Sequence, residues 1–590
     1  MLTTALDPLA PREVDLPTPV PLDAPLDVLD GAKIMAAPGD PAEWPAWRDA
    51  LARWRSEAQQ RVQHDGSAYE RPELQWTQRC FTCALVWLWD ELLFDHDAQT
   101  FTPERLLDEA QREFGGYDAV VLWHAYPVLG VDERNQFDFY RDVPGVRELV
   151  SAIQGRGVRV FVDYNPWDTG TRREPSTDAQ ALAELVRWLG ADGVFLDTLR
   201  EALPELRAAL PDAAFEGEST LPLARIRDHQ LSWAQWFADS PVPGVIRARW
   251  FEQRHMLHHT RRWNRDHAEE LRSAWLNGVG MLVWENVFGA WVGWNERDRA
   301  LLRGVTAAQR RHAELLTHGE WTPLAARSDD LRVVGSRWQH GGEELWALAN
   351  RTDEAFAGDV SLAGRPVRLE LPPLGLAAVT NDGVSVFGGG SSSYPRRPVV
   401  RVEAPRVEAG AVPDGFVEGP EPRPLVARFR RRETGTYGEV PYVEEWKPLP
   451  PRLHDLVEVE RPAPRGRFAI AVREVTDATG APLTELSLAE ARSYAASAGA
   501  RLPTEDEWQL AAEAELLERA KPLVWNWTES EHTDGRTRFA ILKGGSAWKA
   551  EGSEWYVDGG PQEPAFSLKL LLTGPLERSL RIGFRLAVDL

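Results

Sequence analysis

The stretch from Val158 to Glu218 reads VRVFVDYNPWDTGTRREPSTDAQALAELVRWLGADGVFLDTLREALPELRAALPDAAFEGE. It holds three short apolar runs, Val158–Tyr164, Gly193–Asp197 and Ala213–Glu218, separated by two amphipathic segments, Ala179–Leu189 and Leu199–Leu210. Apolar strands alternating with helical periods are βαβ units, and βαβ units build a parallel sheet. Upstream the alternation continues, with strands at Phe81–Trp89 and Ala119–Tyr126 and helices at Pro103–Phe114 and Val143–Gly155. Three more strands must fit before residue 310. Ala234–Phe237 or Val245–Trp250, then His255–His259, then Gly280–Glu285 are the candidates, with helices Arg265–Leu276 and Asp298–Leu316 around the last. A (β/α)8 barrel over residues 76–315 follows. A doubly wound sheet is the runner-up. It usually carries a Gly-rich phosphate loop after its first strand, and Asp90-Glu91-Leu92 stands there instead.

Working outward, residues 1–75 read as an irregular extension followed by a helix from Pro41 to Val62, with Trp44, Trp47, Leu51 and Trp54 on one face. From 316 to 386 the period changes to two (LRVVGSRW, ELWALAN, VRLELPP), which predicts a small β-sandwich. Residues 387–397 carry Gly-Gly-Gly-Ser-Ser-Ser and read as a flexible linker. Residues 398–590 predict an α+β domain with helices at Ser487–Ala498 and Thr504–Glu518. The second opens on a capping box, Thr504 with Glu507 three residues on.

The chain has 590 residues, 67 basic against 90 acidic, for a net charge of −23. That balance argues against nucleic acid and against anionic membranes as partners. Its two cysteines, Cys80 and Cys83, sit at the start of an apolar run and read as buried structural thiols. The first thirty residues lack the basic and apolar regions of a secretory signal, and no apolar run is long enough to span a membrane. Cytoplasmic residence is the expectation; the oligomeric state stays open.

In such a barrel the active site lies where the strands end. The residues there are Trp89, Asp90 and Glu91 on the first strand, His124 and Tyr126 on the second, and Asp163 and Asn165 on the third. Asp197 ends the fourth, Glu216 and Glu218 the fifth, and Trp284, Glu285 and Asn286 the eighth. Glycosidic cleavage needs two carboxyl groups across the bond. Asp197 and Glu218 are the candidate pair. Asp163, Asn165, Glu216, His124, Trp89, Asp90, Trp284 and Glu285 are candidate sugar-binding groups, and Glu285 is also a rival for catalysis. Carbohydrate is the expected partner, with no cofactor required. A barrel that binds sugars without cleaving them is the alternative.

The segments Val160-Phe-Val-Asp163-Tyr-Asn165, Gly193-Val-Phe-Leu-Asp197 and Phe215-Glu-Gly-Glu218 resemble glycoside hydrolases of the alpha-amylase clan. That clan places an Asp nucleophile after strand four and a Glu acid after strand five, which would be Asp197 and Glu218. Phe195 stands where the clan carries an arginine, and only His258 and His259 lie near its late His-Asp pair. Ala191-Asp-Gly-Val-Phe-Leu-Asp197 is similar also to polygalactosaminidase-type barrels.

Five ordered motifs follow the linker: Arg473-Glu-Val-Thr476, Arg501-Leu-Pro-Thr-Glu-Asp-Glu-Trp508, Val524-Trp-Asn-Trp-Thr528, Leu542-Lys-Gly-Gly-Ser546 and Arg581-Ile-Gly-Phe-Arg585. They resemble the formylglycine-generating-enzyme (sulfatase-modifying factor) family. The resemblance implies a loop-rich fold of C-type-lectin-like kind, with room for a structural calcium ion. That family binds copper through paired cysteines, and no cysteine follows Cys83. Thiolate ligation of Cu(I) is therefore closed to this domain. It reads as a binding or scaffolding module, with a sulfatase-modifying role as the competing reading.

Overall fold

The computed structural model describes residues 16–124, 128–218, 220–235, 238–260, 266–287, 290–395, 397, 399–430, 454–464 and 466–590. Tyr126 lies outside them. The first long helix, α1 (Trp44–Arg61), buries Trp44, Trp47, Leu51 and Trp54, the face its spacing predicts. Upstream, the extension is ordered in part: Ile34–Met35 pairs antiparallel with Val245–Ile246. One proposed sixth strand is thereby assigned elsewhere, and Arg247–Phe251 is helical.

The barrel is closed and parallel. Its strands are β1 (Thr82–Trp87), β2 (Ala119–Trp123), β3 (Arg159–Tyr164), β4 (Gly193–Leu196), β5 (Ala214–Glu218), β6 (Leu231–Gln235), β7 (Met256–Thr260) and β8 (Gly280–Val283). β8 pairs with β1 and closes the ring. The helices include α2 (Pro103–Phe114), α3 (Val146–Gly155), α4 (Asp178–Leu189), α5 (Pro204–Ala209), α6 (Ala268–Asn277) and α7 (Glu296–Arg311). α4 is capped by Thr177 and Gln180 in a reciprocal box. The sixth strand starts at Leu231, earlier than either candidate, because the run LSWAQ carries only one strongly apolar pair. Inside the ring an aromatic cluster fills the upper layers. Trp87 and Trp284 each meet Trp123 edge-on, at 5.3 and 5.6 Å, and Phe195 stacks on Trp233 at 4.8 Å.

Seven antiparallel strands follow: β9 (Glu320–Arg327), β10 (Val333–His340), β11 (Glu343–Asn350), β12 (Phe356–Leu362), β13 (Arg365–Leu371), β14 (Leu376–Thr380) and β15 (Gly383–Phe387). Hydrogen bonds join them into one sheet, in the order β13-β12-β9-β10-β11-β14-β15, rather than two separately bonded ones. A cluster including Trp346, Leu348, Val360 and Leu369 forms its own core. Trp338, Leu345 and Ala347 belong instead to the main core shared with the barrel. The indole N–H of Trp275 on α6 donates to the Ala377 carbonyl at 3.1 Å and ties the two units.

The Gly/Ser stretch after β15 is held in place rather than loose. Ser391 O accepts from Arg297 N at 3.1 Å, and Ser391 N donates to Glu296 Oε2 at 3.0 Å. Gly388, Gly389 and Gly390 all take positive φ (113°, 90° and 91°), a conformation that glycine alone adopts readily. Gly390 thereby passes close to Glu296.

In the C-terminal domain, α8 (Leu488–Ser497) and α9 (Glu505–Glu513) both open on reciprocal capping boxes, Ser487 with Glu490 and Thr504 with Glu507. The central hairpin joins β16 (Trp525–Thr533) to β17 (Arg538–Lys543). Around it residues of the family-like motifs, with Arg519 and Asp589, form two sets of buried bonds. Arg501 pairs with Glu507 at 2.7 Å and Asp589 at 2.9 Å. Asn526 Oδ1 accepts from Trp508 Nε1 and Arg585 Nε, and Glu474 takes Arg585 and Arg519, both at 2.9 Å. No helix among the described residues is long and apolar enough to cross a membrane.

Candidate active site

β3, β4 and β5 bring Asp163, Asp197 and Glu218 to one end of the barrel. Pairing is in register between Asp163 and Phe195, and between Glu218 and Trp233 of β6. The loop leaving β4 folds over β5. Thr198, at φ 62°, donates its N–H to Glu218 Oε2 at 2.6 Å, and Glu218 N donates to Leu199 O at 2.7 Å. A Cβ on Gly217 would stand 2.4 Å from Arg200 O, so glycine permits this close approach. Asp197 and Glu218 thus sit on adjacent strands, locked together through the residue between β4 and its loop. Both are half-buried, and Thr198 and Arg200 are exposed.

Beside them Asp163 is only 2% exposed and His124 only 1%. Asn165 Nδ2 donates to Asp163 Oδ2 at 2.9 Å, and the His124 Nδ1 stands 3.8 Å from the same oxygen. Burial lowers the His124 pKa to about 3, so the imidazole is neutral. Burial pushes the Asp163 carboxyl well above its usual range; the Asn165 amide opposes this and the Glu218 charge adds to it. Among the described residues, neither His124 nitrogen nor Asp163 Oδ1 has a hydrogen-bond partner. These atoms leave hydrogen-bonding capacity at this end of the barrel.

Glu216 lies one layer deeper and fully buried, bonded to His258 Nδ1 at 2.6 Å; His258 Nε2 reaches Cys80 O at 2.7 Å. Burial would lower the His258 pKa, but the Glu216 carboxylate outweighs it and raises the pKa. Sequence reading named Glu216 and noted His258 but missed their pairing, because β5 and β7 share no local pattern. Cys80 and Cys83 are buried free thiols, pushed up by burial.

The strand ends and loops of β1, β2, β3 and β8 are engaged from outside the barrel. Arg536, at the tip of the β16–β17 hairpin, binds Asp90 through Nε at 2.9 Å and Nη2 at 3.0 Å. Its Nη1 stands 3.5 Å from Glu285 Oε2, and Arg299 of α7 reaches Glu285 Oε1 at 3.4 Å. Arg538 pairs with Glu91, and Asn286 donates to Thr537. Tyr556 donates to Asp168 Oδ1 at 2.8 Å after β3, and Val557 N to Leu129 O at 2.8 Å after β2. Trp89 and Trp284 are buried, the latter with its indole N–H on Asn286 O at 2.8 Å. Nothing in the local sequence around Arg536 announces this role. Among the described residues, no group of three or more His, Cys, Asp or Glu is arranged to hold a metal ion.

Residues 452–521 match the Sulfatase-modifying factor enzyme 1-like domain family. No curated protein matches the chain in sequence. Solved structures similar to it include the debranching enzyme of Nostoc punctiforme, at 12% identity over 53% of this chain and 99% of that one, with a TM-score of 0.33. A noncanonic maltogenic alpha-amylase from Thermotoga neapolitana gives 10%, the same coverages and a TM-score of 0.34. A cyclic α-maltosyl-(1→6)-maltose hydrolase from Arthrobacter globiformis gives 13%, 52%, 99% and 0.31. The fold assignment rests on the closed eight-stranded ring itself. The chain is thus a multidomain protein with a (β/α)8 barrel and a C-terminal domain, part of which (residues 452–521) matches the sulfatase-modifying-factor family.

Proposed function

We propose that the barrel is a glycoside hydrolase acting on an oligo- or polysaccharide, with Asp197 and Glu218 as its carboxyl pair. The observation that supports this reading is the join between β4 and β5, which holds the Glu218 carboxyl against the residue that follows Asp197, beside the buried polar atoms of His124 and Asp163. Glu218 acts as the acid. One of its oxygens is held by the Thr198 N–H, so the proton given to the leaving oxygen belongs on the other. Asp197 faces the anomeric carbon, where it attacks or stabilises positive charge. Asp163, whose carboxyl burial holds towards its protonated form, can meet a sugar hydroxyl as donor or acceptor, and neutral His124 offers one of each. Glu216 supports the barrel interior through His258. Asp90 and Glu285, tied to Arg536, shape the wall. The C-terminal domain is a scaffold with no copper chemistry, because it has no cysteine.

The test is turnover of a panel of aryl glycosides and polysaccharides by the full chain, with Asp197→Asn as control. Release of aglycone that vanishes in the control supports the reading. Retention of several sugars with no release by the wild type would favour binding without cleavage. For any substrate cleaved, the anomer formed first, read by NMR, separates retention from inversion.

A further inference from the structure

Among the described residues, the contacts between the C-terminal domain and the barrel mouth are unevenly spread. They gather on the loops after β1, β2, β3 and β8, through Arg536, Arg538, Tyr556 and Val557. Asp90 is 1% exposed and Glu285 8%, whereas Thr198 and Arg200 after β4 are exposed. The seat is built to last. Arg536 is itself buried, its guanidinium spans Asp90 and Glu285 from opposite sides of the β8–β1 seam, and its hairpin turn is pinned by Asp534 Oδ1, which accepts from Arg536 N and Thr537 N, both at 2.9 Å. A buried cation between two buried carboxylates is costly to withdraw, since either side would be left uncompensated. Glycine at 170 marks how close the domains come: a Cβ there would stand 1.7 Å from Glu551 O. Such a contact describes a wall, not a tethered neighbour.

We propose that the C-terminal domain is a fixed wall of the barrel's cleft, seated by Arg536, so that the site admits chain ends and short oligosaccharides from the β4–β5 side and excludes a chain laid across the mouth. This rests on the glycosidase reading for the identity of the ligand. Arg536 is a positioning residue in this scheme. It touches no substrate, and its effect is on which substrates fit.

The experiment uses the full chain, with Arg536→Ala and Arg536→Lys. The probes are labelled α-1,4-, α-1,6- and β-1,4-linked gluco-oligosaccharides of two to eight units and the matching polymers. The wild type is expected to shorten chains from one end and to prefer oligosaccharides at least about tenfold in kcat/KM, the worth of a single lost contact. Arg536→Ala should erode that preference and release mid-chain products, and Arg536→Lys should restore part of it. Mid-chain cleavage of polymers by the wild type, at rates matching the oligosaccharides, overturns the proposal. Hydrogen exchange at residues 88–91 and 128–134 is measured in parallel. Slow exchange in the wild type that becomes fast in Arg536→Ala supports the wall; equal exchange in both overturns it. If no saccharide in the set is turned over, the glycosidase reading falls and the exchange data alone decide the wall. Should Arg536→Ala not fold, the double variant Arg538→Gln with Tyr556→Phe takes its place under the same criteria.

Discussion

Asp163 in the barrel and Glu474 in the C-terminal domain are both buried carboxylates, 2% and 4% exposed, yet their protonation equilibria move in opposite directions. Asp163 faces an amide, a neutral imidazole and a like charge, and burial drives its pKa well up. For Glu474 burial also acts upward, but the guanidinium groups of Arg585 and Arg519 overcome it and the pKa falls. The difference teaches how to tell a scaffold from a site. Where a buried charge is matched by opposite charge, its environment favours one fold. Where it meets no opposite charge, its shifted equilibrium marks a candidate for function. By this criterion Glu474, paired with Arg585 and Arg519, sits in an environment of the first kind.

The comparison is broken most decisively by kinetics. Asp197→Asn and Glu218→Gln are each expected to lower kcat by roughly 10²–10⁴-fold without changing the circular dichroism or unfolding temperature. Near-normal turnover in Glu218→Gln together with an inactive Glu285→Gln would move the site to β8. Next in size is Glu474→Gln, which strands Arg585 in the interior. It should cost about 3–5 kcal/mol in urea unfolding. A loss under about 1 kcal/mol would show that the network is not the scaffold.

Opposite pH slopes sharpen the contrast further. The folded-state pKa of Asp163 lies above its unfolded value, so its contribution to stability is present at acid pH and is lost as pH rises above the unfolded value, near 3.9. Asp163→Asn should therefore gain stability relative to the wild type between pH 4 and pH 7. Glu474 has a depressed pKa, so its contribution is present above the unfolded value and is lost as pH falls through the folded one. Glu474→Gln should lose less at low pH than at neutrality. Urea midpoints at both pH values check the pair, and parallel slopes would refute the distinction. The smallest effect is local: Thr504→Ala removes one half of the α9 capping box and should cost about 1 kcal/mol.

Much of the fold was legible because its causes are local. The alternation from Val158 to Glu218 is a matter of adjacent periods, and it placed β3, β4 and β5 to within a residue or two. The capping box at Thr504 was readable for the same reason, since it joins residues three apart. The sixth strand was misplaced because Leu231–Gln235 has a weak apolar pattern and borrows its strand character from β5 and β7. The glycine-rich stretch after β15 has the composition of a loose linker, and only its bonds to the N-terminus of α7 decide otherwise.

What the sequence by itself determined was the order of structural units and the list of strand-end carboxylates, because strand and helix periods are written in consecutive residues. What only the tertiary structure decided was which of those carboxylates are occupied. Arg536 meets Asp90 across 446 positions of chain and Glu285 across 251. Contacts between residues that far apart leave no local period to read. They arise when two domains, each folded by its own local rules, come to share a surface on which opposite charges can be buried together.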